Sequence, residues 1–291
     1  MAVYIGNEAL DLRLTLMESA QCFRWTEAGG RFGAAFESGP VWLWRDGAGI
    51  HAEGACDAPW LRRYLDLDRD YAAVAAEYAH IPAARDAIAL FPGLRVLNQP
   101  PWEALVSFIL SANNNVARIR RLTDALCEAY GEAWDCGGVT LHGFPTPQRL
   151  AACSEDELRG LKVGYRAPFL IGAARRVCEG FPLEDLRRMP YEEAHALLVS
   201  LPGVGDKVAD CVLLFGCGHA CAFPVDVWVD RLMRDWFGLT CGSRAALARE
   251  ARERLGVHAG LMQQFLFHAA RTGAMALECV PGAPEGHART S

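Results

Sequence analysis

The sequence predicts an α+β protein, with an N-terminal antiparallel β-sheet domain and flanking helices followed by a mostly α-helical domain. Residues 1–56 contain short apolar runs separated by the turns EAGG, SGP and DGAG. From Asp57 onwards, apolar residues recur at helical spacing instead. We therefore expect a sheet domain in residues 1–95, a helical domain in residues 96–278 and a disordered tail in residues 279–291.

The elements of the first domain follow from these patterns. Four runs are expected to form strands: LDLRLTL, QCFRW, RFGAAFE and VWLWR. Three later runs are expected to form helices: APWLRRYLDL, YAAVAAEYAH and PAARDAIALF. The second domain then begins after Pro100 and Pro101 with WEALVSFILSA, whose lack of a polar face predicts a buried helix.

Composition indicates a globular protein, because 52% of its 291 residues are hydrophobic and 22% are charged. No apolar run is long enough to span a membrane and no signal pattern begins the chain, so we expect an intracellular monomer with no membrane partner. Its location would be the cytoplasm or nucleoid of a bacterium or the nucleus of a eukaryote. The net charge of -6 argues mildly against nucleic acid, but one positive face suffices, and Arg118, Arg120 and Arg121 cluster in one predicted helix.

The segment LPGVGDK predicts a tight hairpin between two helices. Pro202 ends the first helix, and Gly203 and Gly205 are expected to supply positive φ angles. Two glycines leave backbone N–H groups uncovered, and the start of the next helix attracts a phosphate. Such a helix–hairpin–helix suits binding of a DNA backbone without sequence preference, although an ordinary connector between helices would look the same.

Two charged residues near this hairpin are candidates for chemistry. Lys207 lies in a first helical turn, where the helix dipole disfavours a cation, and its apolar neighbours also favour the neutral, nucleophilic amine. Asp226 precedes another helical run and is expected to cap it. A fixed carboxylate beside an amine suits displacement at a sugar carbon. A solvated lysine on a phosphate and a purely structural cap are the alternatives.

Three further segments combine amide, aromatic and cationic side chains. Asn113–Asn115 interrupts a helical pattern and suits either base edges in DNA or a helix cap. The run Gly164–Arg166 could contact a distorted duplex or form a surface turn. Gln263 and Phe267 are i, i+4 neighbours on one helix, where core packing is the ordinary explanation for the aromatic ring.

Together these segments resemble the helix–hairpin–helix DNA glycosylases that carry a catalytic lysine, and among them the 8-oxoguanine DNA glycosylase/AP lyases. LPGVGDKVADC followed by PVDV carries most of this similarity. QCFRW, SANNNVARI, HGFP, VGYRA and QQFLF lie in the order that the family would have, over roughly residues 10–270.

The resemblance implies a base excision repair enzyme that flips 8-oxoguanine, preferably opposite cytosine, out of double-stranded DNA. It implies that Lys207 attacks C1′ to give a Schiff base, that Asp226 stabilises the cationic sugar, and that β-elimination cleaves the strand. The implied purine pocket contains Ala20, Cys211, Gln263 and Phe267. The implied DNA contacts are Asn113, Arg118, Tyr165, Arg166, Gly203, Gly205 and Trp228, with Tyr165 as the wedge and Asn113, Arg118 and Arg166 on the unpaired cytosine.

No metal, iron–sulfur cluster or organic cofactor is expected. The eleven cysteines are odd in number and scattered, and those at 211, 217 and 221 lack CxxC spacing. Some related glycosylases carry a four-cysteine cluster after the helical domain, whereas only Cys279 lies in this tail.

Two residues depart from the family pattern. Ala20 stands where the family usually has glycine, whose carbonyl accepts the proton that only the oxidised guanine carries on N7. The carbonyl remains, but the backbone angles must be accessible to alanine. Trp228 stands where the animal enzymes have histidine, and an indole carries no positive charge to a phosphate.

Three other functions remain compatible with the sequence. The chain could excise another lesion, such as an oxidised pyrimidine, with the same Lys207 and Asp226. It could be an alkylated-base glycosylase that uses the aspartate alone, or a DNA-binding module without catalysis.

Overall fold

A five-stranded antiparallel sheet forms the N-terminal part of the chain in the computed structural model, which describes residues 2–55 and 57–276. Its strands are β1 Val3–Gly6, β2 Thr26–Ala28, β3 Arg31–Phe36, β4 Gly39–Asp46 and β5 Gly49–Gly54. They lie in the order β1-β5-β4-β3-β2, so that β2 to β5 form a meander and β1 closes one edge. Phe36 pairs with Gly39 and Asp46 with Gly49, which makes both central connections two-residue hairpins.

Two of the four predicted strands are wrong. The leucines of residues 10–16 alternate with polar residues, yet a carboxylate oxygen of Asp11 accepts the Leu14 N–H (2.9 Å) and the chain turns into a wide helical turn at Leu14–Glu18. Residues 21–25 are buried and extended but pair with no strand, because side chains rather than a neighbouring strand bind their backbone, as Gln99 Nε2 binds the Gln21 carbonyl (2.7 Å).

Helices make up most of the rest, as predicted. They are α1 Ala58–Tyr64, α2 Tyr71–Glu77, α3 Pro82–Leu90, α4 Pro101–Ser111, α5 Val116–Tyr130, α6 Pro147–Ala151, α7 Glu155–Gly160, α8 Ala167–Cys178, α9 Tyr191–Val199, α10 Asp206–Gly216, α11 Val227–Phe237, α12 Arg244–Leu255 and α13 Ala259–Thr272. A two-stranded ladder of β6 Ala133–Asp135 and β7 Thr140–His142 follows α5. None of the helices between residues 2 and 276 is long and apolar enough to cross a lipid bilayer.

The buried side chains form two clusters, and these do not divide the chain into one N-terminal and one C-terminal block. One fills the space between the sheet and α1. The other joins α2 and α3 to the helices that follow, and α3 packs on α13. A buried ion pair links the two parts, since Arg24 Nη1 lies 2.8 Å from Glu103 Oε2 with both side chains 3% exposed. Glu103 belongs to α4, so this ion pair holds the buried segment of residues 21–25 against α4, the helix that leads into the site.

The structure does not describe the predicted tail at 279–291 or Cys279, which lie outside the described residues. The proposed boundary between residues 95 and 96 stays a prediction.

Candidate active site

The hairpin lies between α9 and α10, as the sequence predicts, but its two glycines have different roles. Gly203 has φ +77°, and a Cβ there would lie 2.6 Å from the Phe169 Cβ, so both conformation and space require glycine. Gly205 has φ −104° and caps α10 in an extended conformation, so the expected positive φ is wrong there. A Cβ at Gly205 would meet nothing within 4 Å, so the glycine leaves this side of the helix start open.

The start of α10 has the geometry of an anion site. The N–H groups of its first turn have no carbonyl of a preceding turn to bind, and the glycine at the N-cap carries no side chain that could accept them. His195 reaches the exposed Asp206 only at 3.9 Å. The open backbone of Gly203 and Gly205 is therefore available to a phosphate, in line with their predicted contact to DNA.

Lys207 is half-buried and bound from a neighbouring helix rather than by solvent alone. Its Nζ donates to Ser111 Oγ at 2.8 Å and lies 5.3 Å from the centre of the Phe108 ring. Both contacts come from the last turn of α4, which packs extensively along α10. The amine is thus fixed at the interface between these two helices.

Cys211 lies one turn further along α10 and is fully buried. Burial raises the pKa of its thiol to about 12, Lys207 acts in the opposite direction through its charge and a hydrogen bond, and Asp210 and Asp226 raise it further. The thiol is therefore neutral at physiological pH and forms no ion pair with Lys207. The charges of Lys207 and Asp226 thus both act on the Cys211 thiol.

Asp226 caps α11, as predicted. One oxygen of its carboxylate, Oδ1, accepts the N–H groups of Trp228 and Val229, each at 2.9 Å. The side chain is half-buried, and no hydrogen bond to its Oδ2 is found within the part of the chain that the structure describes. One oxygen is used by the helix, and the other is left for a further contact.

Ala20 lies on an irregular loop that is bound on several sides. Its φ is +61°, in the left-handed region that alanine disfavours by roughly 1–2 kcal/mol. Gln264 Nε2 of α13 donates to the Ser19 carbonyl (2.7 Å), and the buried Gln21 side chain binds Arg95 O (2.8 Å) and the Leu97 N–H (2.7 Å). The Gln264 bond holds the loop against α13, and the Gln21 bonds hold it against the segment that precedes α4.

Gln263 is 4% exposed, and its Oε1 is buried without a hydrogen-bond partner among the described residues. Buried polar atoms are nearly always paired, so this orphaned acceptor is the feature expected where a ligand donates. Phe267 lies one turn later on the same face of α13 and is only partly buried. Because Gln264 ties this helix to Ser19, the predicted pocket residues Gln263, Phe267 and Ala20 come from adjoining elements.

The turn after α4 exposes the predicted DNA-reading amides. Asn113 is exposed and has φ +49°, and the Asn115 side chain caps α5 by accepting the Arg118 N–H (2.9 Å). The capping interpretation of the asparagine run is therefore confirmed for Asn115. Arg118 is exposed and makes one long hydrogen bond to the Lys162 carbonyl (3.5 Å).

Tyr165 and Arg166 differ in exposure although they are neighbours. Tyr165 is 52% exposed, whereas Arg166 is 3% exposed. The Arg166 guanidinium donates to the carbonyls of Ala112, Asn113 and Val163, and the Tyr165 hydroxyl also donates to Ala112 O (3.1 Å). The Arg166 side chain supports the exposed turn, and its predicted contact with the unpaired cytosine would require it to exchange these bonds.

Trp228 is 41% exposed at the start of α11, next to exposed Val227. An exposed indole beside the Asp226 cap is placed to stack or donate one hydrogen bond, as expected for a predicted DNA contact.

Two cavities lie away from these residues. One of about 1120 Å³ is lined by Arg24, Trp60, Trp102 and Phe144, among others, and the second, of about 610 Å³, is lined by residues including Phe91 and His268. Neither is lined by Ala20, Cys211, Gln263 or Phe267. Within residues 2–55 and 57–276, no group of three or more His, Cys, Asp or Glu side chains is arranged to hold a metal.

Sequence reasoning missed Ser111, Phe108, Gln21 and Gln264. Their local patterns gave no signal, because a serine and a phenylalanine in an apolar helix are ordinary core residues. The only usable cue was proximity to predicted site residues, since Ser111 lies two residues before Asn113 and Gln21 directly follows Ala20.

Comparison with known proteins bears on this arrangement. The model of the HhH-GPD superfamily of base excision DNA repair proteins matches residues 106–256, and that of the 8-oxoguanine DNA glycosylase N-terminal domain matches residues 2–105. An 8-oxoguanine glycosylase/lyase from Clostridium acetobutylicum, in its apo-form, is 30% identical with a TM-score of 0.84, over 90% of this chain and 94% of that one. The chain belongs to the 8-oxoguanine DNA glycosylase family of the HhH-GPD superfamily.

A second structure of the Clostridium protein and one further relative are also similar to the chain. The Clostridium protein in complex with dsDNA containing cytosine opposite 8-oxoG superposes with a TM-score of 0.85 at 29% identity, over 92% of this chain and 94% of that one. A probable N-glycosylase/DNA lyase from Methanothermobacter thermautotrophicus is 35% identical over 62% of this chain and 65% of its own length. The chain thus spans less than two thirds of that curated relative. The HhH-GPD match ends at residue 256, and α13 with Gln263 and Phe267 lies beyond both matched regions.

Proposed function

We propose that the chain is a bifunctional DNA glycosylase/AP lyase that excises 8-oxoguanine, preferably opposite cytosine, from duplex DNA. It would use Lys207 to form a Schiff base and cleave the strand by β-elimination. The observation that carries the proposal is the placement of a half-buried amine, bound to a neighbouring hydroxyl, beside a neutral thiol and near a capped carboxylate.

Lys207 suits attack on a sugar carbon. The residue is half-buried, its amine donates to a neutral hydroxyl, and the adjacent Cys211 is a neutral thiol. Attack on C1′ would break the glycosidic bond and release the base. Ring opening would give the Schiff base, and loss of a C2′ proton would then expel the 3′ phosphate.

Asp226 suits stabilisation of the cationic sugar. Its position at the helix start is fixed by two backbone N–H bonds, so the carboxylate needs no reorganisation when positive charge develops on the ring. A carboxylate held in this way supplies charge without becoming the nucleophile.

The base would be recognised by two groups that the protein holds ready. The unpaired Oε1 of Gln263 would accept from the Watson–Crick edge of guanine. The carbonyl of Ala20 would accept the N7 proton that distinguishes 8-oxoguanine from guanine. Cys211 and Phe267 would pack on the two faces of the purine. The printed names of the relatives, 8-oxoguanine glycosylase/lyase and probable N-glycosylase/DNA lyase, support this assignment.

Borohydride trapping on duplexes that carry 8-oxoguanine opposite each of the four bases tests the proposal. Lys162 and Lys207 are the only lysines in the sequence, so a trapped side-chain adduct has two possible positions. We expect an adduct at Lys207, most abundant opposite cytosine, that Lys207→Gln abolishes and Lys162→Gln retains. Peptide mapping would identify the modified residue.

The other outcomes separate the alternatives. Base release without an adduct would indicate an aspartate-only glycosylase, and adducts only on oxidised pyrimidines would indicate another lesion. DNA binding with neither base release nor adduct would leave a binding module, and each of these results would refute the proposal.

A further inference from the structure

The end of α4 contacts both the candidate nucleophile and the DNA-facing turn. Ser111 is the last residue of α4, is 9% exposed, and accepts the hydrogen bond from Lys207 Nζ. Phe108, one turn earlier, places its ring 5.3 Å from the same nitrogen. The amine is therefore held by one helical turn that belongs to a different helix from its own.

The hydroxyl of Ser111 acts only as an acceptor towards Lys207. A serine has one O–H donor, and that hydrogen points to the Phe108 carbonyl, 2.7 Å from Ser111 Oγ. The carbonyl is free to accept it because the helix ends here, and the next amide, at Ala112, binds Ile109 instead. A neutral amine that donates one N–H to this oxygen keeps its lone pair free for attack, whereas a serine that donated to the amine would block it.

The residues that follow Ser111 form the turn on which the DNA-reading side chains rest. The Ala112 carbonyl accepts from both the Arg166 guanidinium and the Tyr165 hydroxyl, and the Asn113 carbonyl accepts from Arg166 (3.1 Å). Asn113 has a positive φ of 49°, so the chain leaves the helical conformation within two residues of Ser111. Ser111 and Asn113 are therefore parts of one short backbone segment, with Ala112 alone between them.

We propose that Ser111 is a positioning residue that holds Nζ of Lys207 by accepting its hydrogen bond and links it to the DNA-facing turn at Ala112 and Asn113. The inference rests on the proposed function, because it assumes that Lys207 is the nucleophile. It adds a buried residue that sets the geometry of the nucleophile through a hydrogen bond.

The first test is Ser111→Ala in the full chain, with single-turnover excision measured at saturating protein. We expect the rate constant to fall by about tenfold or more, because misplacement of a reacting group is costly, while the dissociation constant for the duplex changes by less than about twofold. Ser111→Thr keeps the hydroxyl and is expected to recover most of the rate.

Ser107→Ala is the matched control. Ser107 lies one turn earlier on α4, is 2% exposed, and has no hydrogen bond to Lys207 within the described residues. We expect its rate constant to stay within about twofold of the parent. Equal losses in the Ser107→Ala and Ser111→Ala proteins, or no loss in the latter, would overturn the inference.

The link to the turn is tested with a double-mutant cycle. If Ser111 and Asn113 act through one element, Ser111→Ala combined with Asn113→Ala loses less rate than the product of the two single losses. Losses that multiply would refute the link. Trapping of the parent protein is run in parallel, since an absent Lys207 adduct contradicts the proposed function itself, whereas an adduct in the parent with an unaffected Ser111→Ala protein contradicts only this inference.

Discussion

The two sides of the site are held by different kinds of bond. Lys207, Cys211 and Asp226 lie on or at the start of regular helices, and their positions follow from helix packing and one N-cap. Ala20 lies on a loop without regular structure, held by the Gln21 amide on the distant backbone of Arg95 and Leu97 and by the Gln264 amide on the Ser19 carbonyl. One side thus depends on the backbone pattern of the helices, and the other on a few specific polar contacts.

This difference separates the chemistry from the recognition of the base. Substitutions on the helical side should change the rate of bond cleavage with little effect on folding, because the helices persist without the altered side chain. Substitutions that loosen the loop should lower stability and the preference for the oxidised base together, because the same hydrogen bonds serve both.

The largest effect on the helical side is expected for Asp226→Asn, which separates the charge of this residue from its role as a cap. Asparagine caps helices as well as aspartate does, so we expect unchanged thermal stability but a fall of about 100-fold or more in single-turnover excision, because the charge is lost. Asp226→Ala should lose activity to the same extent and about 1 kcal/mol of unfolding free energy as well. An active Asp226→Asn protein would show that the carboxylate serves only as a cap.

Gln21→Ala is expected to loosen the loop that contains Ala20. The buried amide binds two carbonyls and the Leu97 N–H, and its removal leaves buried groups unpaired, so we expect a loss of about 3 kcal/mol in unfolding free energy. Excision of 8-oxoguanine should fall more than cleavage at a preformed abasic site, which needs no base recognition. Thr123→Val is the control, since its buried hydroxyl has no partner among the described residues and its loss should be nearly neutral in stability. Equal losses on both substrates would contradict a role of the loop in recognition.

The sequence predicted the helical side far better than the loop. Three features of the helical side are local: the start of α10 at Asp206, the cap at Asp226 and the cap at Asn115. Each follows from residues within four positions of it in the sequence. Local chemistry also misled: alternating leucines at residues 10–16 suggested a strand, although a helical turn buries Leu14 and Leu16 as well.

Features that join distant parts of the chain left no local pattern. Ser111 and Lys207 are 96 residues apart, and the Ser19 carbonyl is bound by a glutamine 245 residues later. The Gly205 angle was missed for a related reason, since glycine permits many conformations and does not indicate which one the hairpin adopts. The resemblance to a family could name Ala20 as a pocket residue but could not show how it is held.

His268 lies on α13, and its titration makes the stability of this part of the protein depend on pH. Burial, and then Arg271, lower the pKa of its imidazole from 6.5 to about 4. The unfolded chain therefore binds this proton at a higher pH than the folded one, so stability is lost as pH falls from about 6.5 towards about 4. Asp124, whose pKa burial raises to about 6, acts in the opposite direction over part of this range.

We expect His268→Gln to lose less stability than the parent between pH 7 and pH 4.5, as measured by denaturant unfolding, with the Asp124 contribution unchanged in both proteins. Parallel pH profiles in the two proteins would show that His268 is protonated equally in the folded and unfolded chains.

The smallest expected effect concerns Ala20 itself. Ala20→Gly removes the Cβ from a residue with φ +61°, and the gain from relief of this strain should exceed the entropy that glycine adds to the unfolded chain. We expect a stabilisation of up to about 1 kcal/mol with the preference for 8-oxoguanine over guanine retained, because the carbonyl and the surrounding amide bonds are unchanged. Ala35→Gly, at a buried strand position without a positive φ, should instead destabilise by about 1 kcal/mol. If Ala20→Gly destabilised the protein equally, the methyl group would be packing usefully, and the loop would owe its conformation to that contact as well as to Gln21 and Gln264.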